Sequence, residues 1–466
     1  MAVSVRRCLG DGRIAPEFVS IDSDRPMKPA SNMKVVSTGA AFLQLGCDFQ
    51  FETRVVPTGS GYAILGDGDP ALADPSFFAD LQFRDAEGVQ RSLDEERILA
   101  FWADAIVEDH RNGERADAPI EIVVDDTIFE TEGWHDGWNP DDRLKAFAAE
   151  VSGLNFHRNT LHFRPDPAGA GRPDWSDVRP RATWLVTEAT NKSMRAGPKD
   201  KSTAWIHRLP GANDLTFRGV VKGPHRPTNP PLEVTVHDPA MLLGRLLADR
   251  VEARGVEVER VTRAPAPLPR GGPTIGPRIK SPIGRLAEHC NEESQNLYAE
   301  ALLKRTIHDR RGGSASWDDA TETIVGLARQ HVGADVEALV GDLVIDDGSG
   351  LSHGNRLTAA FVTAWLDAME SNPDCGDMFV ESLSRGGGRD DGTLERRFNG
   401  FPAGYRVDGK SGFIFGVSAL SGYVTADDGR RWSFSVLCNG VGGHVRNAMR
   451  LQERIAREIA NHGSRE

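Results

Sequence analysis

Apolar and polar positions alternate along this chain with two textures, and the change between them locates its parts. Residues 2–6 (AVSVR) and 16–21 (PEFVSI) read as two short strands around a turn at Asp11-Gly12. The segment Pro29-Ala30-Ser31-Asn32-Met33-Lys34 then leads into the apolar run Val35 to Leu45. It predicts a helix that opens on Ser31 and stops near Gly46. FETRVV (51–56) alternates like a strand, and Thr58 to Pro75, rich in Gly, Asp and Pro, marks a crossing between units. Leu93 to His110 has helical spacing, with Leu99, Trp102 and Ile106 on one side, and IEIVV (120–124) is a short apolar strand.

From about 156 to 280 the pattern predicts short strands, ATWLVTEA, TAWIHRL and LTFRGVV, split by Pro and Gly. One helix interrupts them, from Pro239 to Arg254, followed by the strand VEVERV, and PAPLPRGGPTIGP (265–277) reads as a linker. Beyond it the texture becomes helical, over 282–290, 294–308, 317–332, 355–370 and 376–384. Three strands follow, FIFGVSA (413–419), SGYVTAD (421–427) and WSFSVLCN (432–439), and an amphipathic helix from about Gly443 to Asn461 closes the chain.

The opening strands have too little core of their own, and the closing strands lack a partner. Joining them predicts an α/β (α+β) domain cut in two, residues 1–56 with 281–466. Its antiparallel sheet is flanked by helices, and a large, mostly β region, 57–280, is inserted as two small domains.

Composition narrows the function. The chain has 466 residues, 39% hydrophobic and 26% charged, with a formal net charge of -13. An acidic chain whose Arg pairs, Arg310-Arg311 and Arg430-Arg431, are flanked by acids is not a nucleic-acid binder. No apolar run reaches the length of a transmembrane helix. Five scattered cysteines give neither metal-ligand spacing nor a disulfide framework, so neither a metal nor a cofactor is expected. The chain opens MAVSVRRCLGDG, without a charged-then-apolar leader, which taken alone points to the cytoplasm.

Three polar clusters carry the chemistry. Ser31 and Lys34, three apart, share a helix face at the positive end of a helix, where an amine can activate a hydroxyl. Ser294-Gln295-Asn296 precedes a helix, and on its own Ser294 reads as an N-cap. Lys410-Ser411-Gly412 leads into the strand FIFGVSA; Gly412 lets a substrate backbone lie close, and Lys410 offers a cation. Each alone is weak. In this order, S-x-x-K, S-x-N and K-[ST]-G form the serine acyltransferase set of penicillin-binding proteins and related β-lactamases.

The chain resembles the low-molecular-mass class C penicillin-binding proteins, D-alanyl-D-alanine carboxypeptidase/endopeptidases of the DD-peptidase/β-lactamase-like fold. The resemblance runs through RPMKPASNMKVVSTGAAFLQLGCDFQFET, ESQNLYAEALLK, DDGSGLSHGNRLT (346–358), DGTLERRF (391–398) and GKSGFIFGVSALSGYV (409–424). The large insertion between the first two motifs resembles that family too. Two positions depart from it: the third motif is KSG rather than KTG, and His353 stands where the family usually has Arg.

The resemblance implies that Ser31 attacks the carbonyl between two D-alanines, Lys34 is the general base, and Ser294 and Lys410 pass the proton to the leaving D-alanine. Asn296 would hold the substrate amide, Ser411 and Lys410 the terminal carboxylate, and the N–H groups of Ser31 and Phe413 the oxyanion. Asp125 and Asp126 would meet the amine of a diaminopimelate side chain, and Arg397 would lie near the cleft. Trp134 and Trp138 read as core of the insertion, and Asp346 and Asp347 as structural. The partners implied are peptidoglycan stem peptides, with β-lactam antibiotics as covalent inhibitors. The place implied is the periplasm or the cell wall outside the membrane, and therefore a start trimmed of its export signal. The competing readings are a β-lactamase or esterase of the same fold, and a non-catalytic peptidoglycan-binding relative.

Overall fold

A computed structural model describes every residue except 12, 80–81, 85–89, 115, 117, 169–170, 225–228, 334–335, 388–391 and 465–466. Gly12 of the expected turn and Asp391 of the fourth resembling block therefore lie outside the described residues. The chain divides into two compact units. The first joins Met1–Gln50 to Pro282–Glu466 and adds the tetrapeptide His135–Trp138; the second holds Phe51–Trp134 and Asn139–Ser281.

The first unit is built on a sheet of six strands among the described residues. They are β1 (Ala2–Arg7), β2 (Val19–Ile21), β3 (Ser384–Arg385), β4 (Tyr405–Ile414), β5 (Val417–Ala426) and β6 (Arg431–Asn439). The order is β3-β4-β5-β6-β1-β2, antiparallel throughout. The chain's first strand is thus zipped to its last, Val3 opposite Val436 and Val5 opposite Phe434. β5 is buried at all ten positions, as a strand covered on both faces must be.

Helix α1 (Met33–Leu45) lies in the layer on one face. α2 (Asn296–Arg311) packs against it, and α3 (Ala359–Glu370) joins it to the sheet. Trp365 of α3 donates from Nε1 to Val35 O of α1 (3.2 Å), and Thr363 meets Ser4 of β1 (2.7 Å). On the opposite face α4 (Val445–Gly463) buries Ala448, Ala456, Ile459 and Ala460 against Val3, Val5, Phe434 and Val436. At about 25 cal/mol per Å² of apolar surface, two such covered faces supply the main stabilisation of this unit.

Two strand boundaries differ from the sequence reading. FIFGVSA is not one strand: the chain reverses at Phe415-Gly416, with Gly416 at φ 77°, and Val417 begins β5. The strand before that turn starts at Tyr405, so Lys410-Ser411-Gly412 lies inside β4 rather than at its start.

The second unit centres on a mixed sheet ordered Val258–Arg263, Ile120–Asp125, Gly61–Leu65, Gln50–Pro57, Ile275–Pro282. The helices Glu95–Asn112 and Pro239–Glu252 are amphipathic, as their spacing requires. Short sheets of two or three strands occupy 160–235. ATWLVTEA, expected as a strand, forms the helix Thr183–Glu188. Its β-branched residues carry only a weak preference, which the surrounding packing overrides. The expected linker ends early, because Ile275–Pro282 is an edge strand of the main sheet.

Candidate active site

Ser31 occupies a 3₁₀ turn, Ala30–Asn32, immediately before α1, and Ala30 holds a left-handed backbone (φ 48°). The turn thrusts Ser31 ahead of the helix and leaves it half-buried, while Lys34, one turn on, is wholly buried. Lys34 Nζ lies 3.1 Å from Ser31 Oγ and donates to Asn296 Oδ1 (2.6 Å) and Ser349 O (3.0 Å). A neutral amine has two N–H donors and one lone pair. Two of these three partners are acceptors and the third is a hydroxyl, so the set suits a neutral amine whose lone pair faces Ser31.

Burial pushes the proton affinity of Lys34 down; Cys290, Asp347 and Glu300 pull it back up. Lys410 is also fully buried and is lowered further, by burial and then by the charge of Lys34. Its Nζ has no hydrogen-bond partner among the described residues. Cys290 is influenced by both amines, and burial pushes its thiol up to about 12.

Asn32 ties the motifs together. Its Nδ2 donates to Lys410 O (2.6 Å), and its Oδ1 accepts from Ser421 Oγ (2.6 Å), itself 2.9 Å from Ser435 Oγ. Gly412 faces the same turn: a Cβ there would sit 2.8 Å from Pro29 O and 3.1 Å from Ser31 N. Any side chain would push β4 away from Ser31. Ser411 is half-buried on this strand, and the Phe413 side chain is 62% exposed. Ser294 is not an N-cap. It has φ 62° in the turn between Ile283–Glu292 and α2, and Gln295 precedes the helix.

The acceptor Ser349 O belongs to a loop held by two buried carboxylates. Glu300 of α2 accepts from Gly348 N and Ser349 N (both 2.8 Å) and from Trp317 Nε1 (2.9 Å). Asp347 accepts from Gly350 N (2.7 Å), Ser352 N (2.6 Å), Asn355 Nδ2 (2.7 Å) and Trp138 Nε1 (2.8 Å). Burial and the neighbouring Asp347 raise the proton affinity of Glu300. Gly350, at φ 81°, packs so closely that a Cβ would meet Ala30 O at 1.8 Å. Asp347 is structural, as the sequence suggested. Trp138 is not insertion core, because its tetrapeptide packs in the first unit, whereas Trp134 lies in the second under Arg143 (4.2 Å).

Ser31, Lys34, Asn296, Lys410 and Gly412 are therefore brought together. Asp125, Asp126 and Arg397 are engaged elsewhere. Asp125 accepts from Thr127 N (3.2 Å), Thr127 Oγ1 (2.6 Å) and Leu268 N (2.8 Å). Asp126 pairs with Arg263 (3.0 and 3.1 Å) and accepts from Ser152 Oγ (3.1 Å). Arg397 is buried against α4, bound to Glu453 (2.9 Å), Met449 O and Gln452. Sequence reasoning missed Asn32, Glu300, the role of Ser349 and Trp138. Only the Gly-Ser-Gly at 348–350, a sign of close backbone approach, hinted at the loop.

The sequence profile of the D-Ala-D-Ala carboxypeptidase 3 (S13) family matches residues 13–458. The D-alanyl-D-alanine carboxypeptidase of Actinomadura sp. (strain R39) is 29% identical over 482 residues, covering 97% of this chain and 80% of that protein. Among solved structures, penicillin binding protein 4 of Haemophilus influenzae superimposes with a TM-score of 0.71 at 17% identity, covering 97% of this chain and 96% of its own. The same protein complexed with a β-lactam gives 0.66 at 18% identity, with 99% and 95% covered. At such identities the superpositions establish the fold.

Proposed function

The chain belongs to the D-Ala-D-Ala carboxypeptidase 3 (S13) family, and we propose that it cleaves the D-Ala-D-Ala bond of peptidoglycan stem peptides through an acyl-enzyme on Ser31. The observation that carries this reading is the partner set of Lys34 Nζ: two acceptors and the Ser31 hydroxyl, in full burial.

Neutral Lys34 takes the Ser31 proton as Oγ attacks the carbonyl between the two D-alanines. The backbone N–H groups of Ser31 and Phe413 receive the negative oxygen that forms. Ser294 and Lys410 return the proton to the amine of the departing D-alanine. Asn296 orients the substrate amide, and Lys410 and Ser411 hold the terminal carboxylate. The absence of any partner for Lys410 Nζ among the described residues supports that role, since a buried ammonium needs an anion. Water then hydrolyses the ester. Serine at 411 keeps the hydroxyl of the family's threonine, so the carboxylate contact survives.

A β-lactam, whose cyclic amide mimics the dipeptide, acylates Ser31 and stays. The substrate lies in the cell wall, so the enzyme works outside the cytoplasmic membrane. No helix among the described residues is long and apolar enough to cross one.

Benzylpenicillin tests this reading. A stable adduct on the Ser31 peptide, together with D-alanine release from a pentapeptide that stops in Ser31→Ala, is the expected result. No adduct on that peptide overturns it, and an adduct that turns over rapidly makes the protein a β-lactamase instead.

A further inference from the structure

The indole N–H of Trp138 reaches far along the sequence. Residues 134 and 139 on either side of the tetrapeptide belong to the second unit, yet His135–Trp138 groups with the first. There Trp138 Nε1 donates to Asp347 Oδ2 (2.8 Å) and its ring meets Trp317 edge-on, centroids 5.9 Å apart. His135 also meets Trp317 edge-on, at 5.0 Å, and lies 6.0 Å from Trp138. The two indoles act as a pair: Trp317 N–H serves Glu300, and Trp138 N–H serves Asp347.

Those two carboxylates accept hydrogen bonds from the backbone N–H groups of Gly348, Ser349, Gly350 and Ser352. The loop they bind presents one carbonyl, Ser349 O, to Lys34 Nζ. We propose that Trp138 is a positioning residue for Lys34: its N–H fixes Asp347, Asp347 fixes the loop, and the loop aims the carbonyl that orients the amine. The proposal rests on the reading of Lys34 as general base. The physical need is directional. An amine lone pair reaches Ser31 Oγ only if its N–H bonds are held by Asn296 and Ser349, and a carbonyl that shifts by a few tenths of an ångström lets the amine rotate.

The test is Trp138→Phe, which keeps an aromatic ring against Trp317 and removes the N–H donor with part of the indole. Acylation by a fluorescent penicillin gives three readouts: the fraction labelled at saturation, the pre-acylation affinity and the acylation rate constant. The expected result is full labelling, unchanged affinity and an acylation rate constant about 10-fold lower, equivalent to about 1.4 kcal/mol. Gly137→Ala decides the matter if the first variant does not fold, because its Cβ presses Ser352 Oγ at 2.6 Å and loosens the same contact. It is expected to slow acylation about 3-fold, a fraction of the cost of losing the donor outright. A wild-type rate constant overturns the proposal, whether labelling is complete or only the labelled fraction falls. Failure of the wild-type protein to be acylated refutes the acyl-enzyme reading instead.

A second inference rests on two thiols. Cys47, just past α1, donates from Sγ to Asp374 O (3.1 Å). Cys375, one residue beyond the carbonyl that Cys47 binds, donates from Sγ to Phe42 O of α1 (3.9 Å), and the Cys47 thiol is among the neighbours that raise its proton affinity. We infer that Cys47 and Cys375 form a disulfide on meeting a disulfide oxidant such as oxidised glutathione. The half-buried Cys47 attacks as thiolate and displaces one glutathione; Cys375 then attacks Cys47 Sγ and displaces the second. The two thiols lose two protons and two electrons, and one glutathione disulfide becomes two thiols. Burial, then the Cys47 thiol, pushes Cys375 up to about 12, which makes the second step slow.

After incubation with oxidised glutathione at about pH 8, where thiolate begins to accumulate, non-reducing peptide mapping is expected to give a linked Cys47–Cys375 peptide. Alkylation of the denatured chain should then find three thiols rather than five, and dithiothreitol should restore five. Five free thiols after oxidation, or a persistent glutathione adduct on Cys47 with no linked peptide, overturns the inference.

Discussion

The buried charges of the two units meet opposite fates. In the second unit Asp125 and Asp126, 0% and 4% exposed, are each surrounded by donors of that same unit: Thr127, Leu268, Ser152 and the Arg263 guanidinium. In the first unit Lys34 and Lys410 are equally buried, yet Lys34 hydrogen-bonds neutral groups, Ser31, Asn296 and Ser349 O, and Lys410 Nζ has no hydrogen-bond partner among the described residues. Burying a charge costs several kcal/mol unless partners replace water. Where they do, the charge is part of the architecture. Where they do not, the protein carries a cost that only a substrate or a shifted proton relieves, and that unpaid cost marks a catalytic site.

Removing the hydroxyl breaks the comparison most completely. Ser31→Ala should lower D-alanine release by about 10⁵-fold or more, in line with loss of a nucleophile that acts as a unit with its base, and should abolish the penicillin adduct. Steady-state release from a pentapeptide and intact-protein mass spectrometry measure both. Lys34→Met comes next, at about 10²- to 10⁴-fold, the span of general-base contributions. The wild-type pH profile carries the sign. Lys34 works as the free amine, and burial lowers its pKa, so acylation should be slow in acid, rise as pH passes that lowered pKa and then level off. A rate that falls over the same interval contradicts a lysine base.

Asn32→Ala sharpens the picture at a smaller scale. It strips Lys410 O and Ser421 Oγ of a buried partner, each about 1–3 kcal/mol when left unsatisfied. Because Asn32 ties the serine turn to β4, acylation should slow on the order of 10-fold, since misplacing a motif weakens transition-state contacts. Stopped-flow acylation with a chromogenic cephalosporin reads this, and Ser421→Ala, which touches only the far end of the chain of hydrogen bonds, should slow it less.

How much of this was legible in the sequence follows from the range of each interaction. Ser31 and Lys34 were readable because helical spacing alone puts them side by side, and Asn296 because its motif precedes an unmistakable helix. The strand carrying Lys410 was misjudged at both ends. Its first residues, Tyr405 to Asp408, are partly charged, and the reversal at Phe415-Gly416 hides inside an apolar run. The pairing of the first strand with the last was recoverable only by asking which half lacked a partner. Trp138 was not recoverable, since nothing local distinguishes an indole that donates across 209 positions from one that fills a core. The N-cap reading of Ser294 failed for a related reason: a left-handed backbone at a non-glycine residue has no composition signature.

The finest test asks whether Asp126 belongs with the satisfied charges or with the working ones. Asp126→Asn keeps the shape and one acceptor but removes the charge that Arg263 neutralises. Arg263 is 30% exposed and retains Asp238 at 2.6 Å, so the loss should be about 1–3 kcal/mol, read as a lowered midpoint in chemical denaturation. If the carboxylate is purely architectural, kcat and KM for a pentapeptide with a diaminopimelate residue stay within about 2-fold, the scatter expected of a site away from the chemistry. A KM that rises about 10-fold for that peptide, and not for its lysine counterpart, would instead mean that Asp126 meets the second amino group. Having its acceptor positions filled in the free enzyme would then be a resting state, exchanged for substrate on binding.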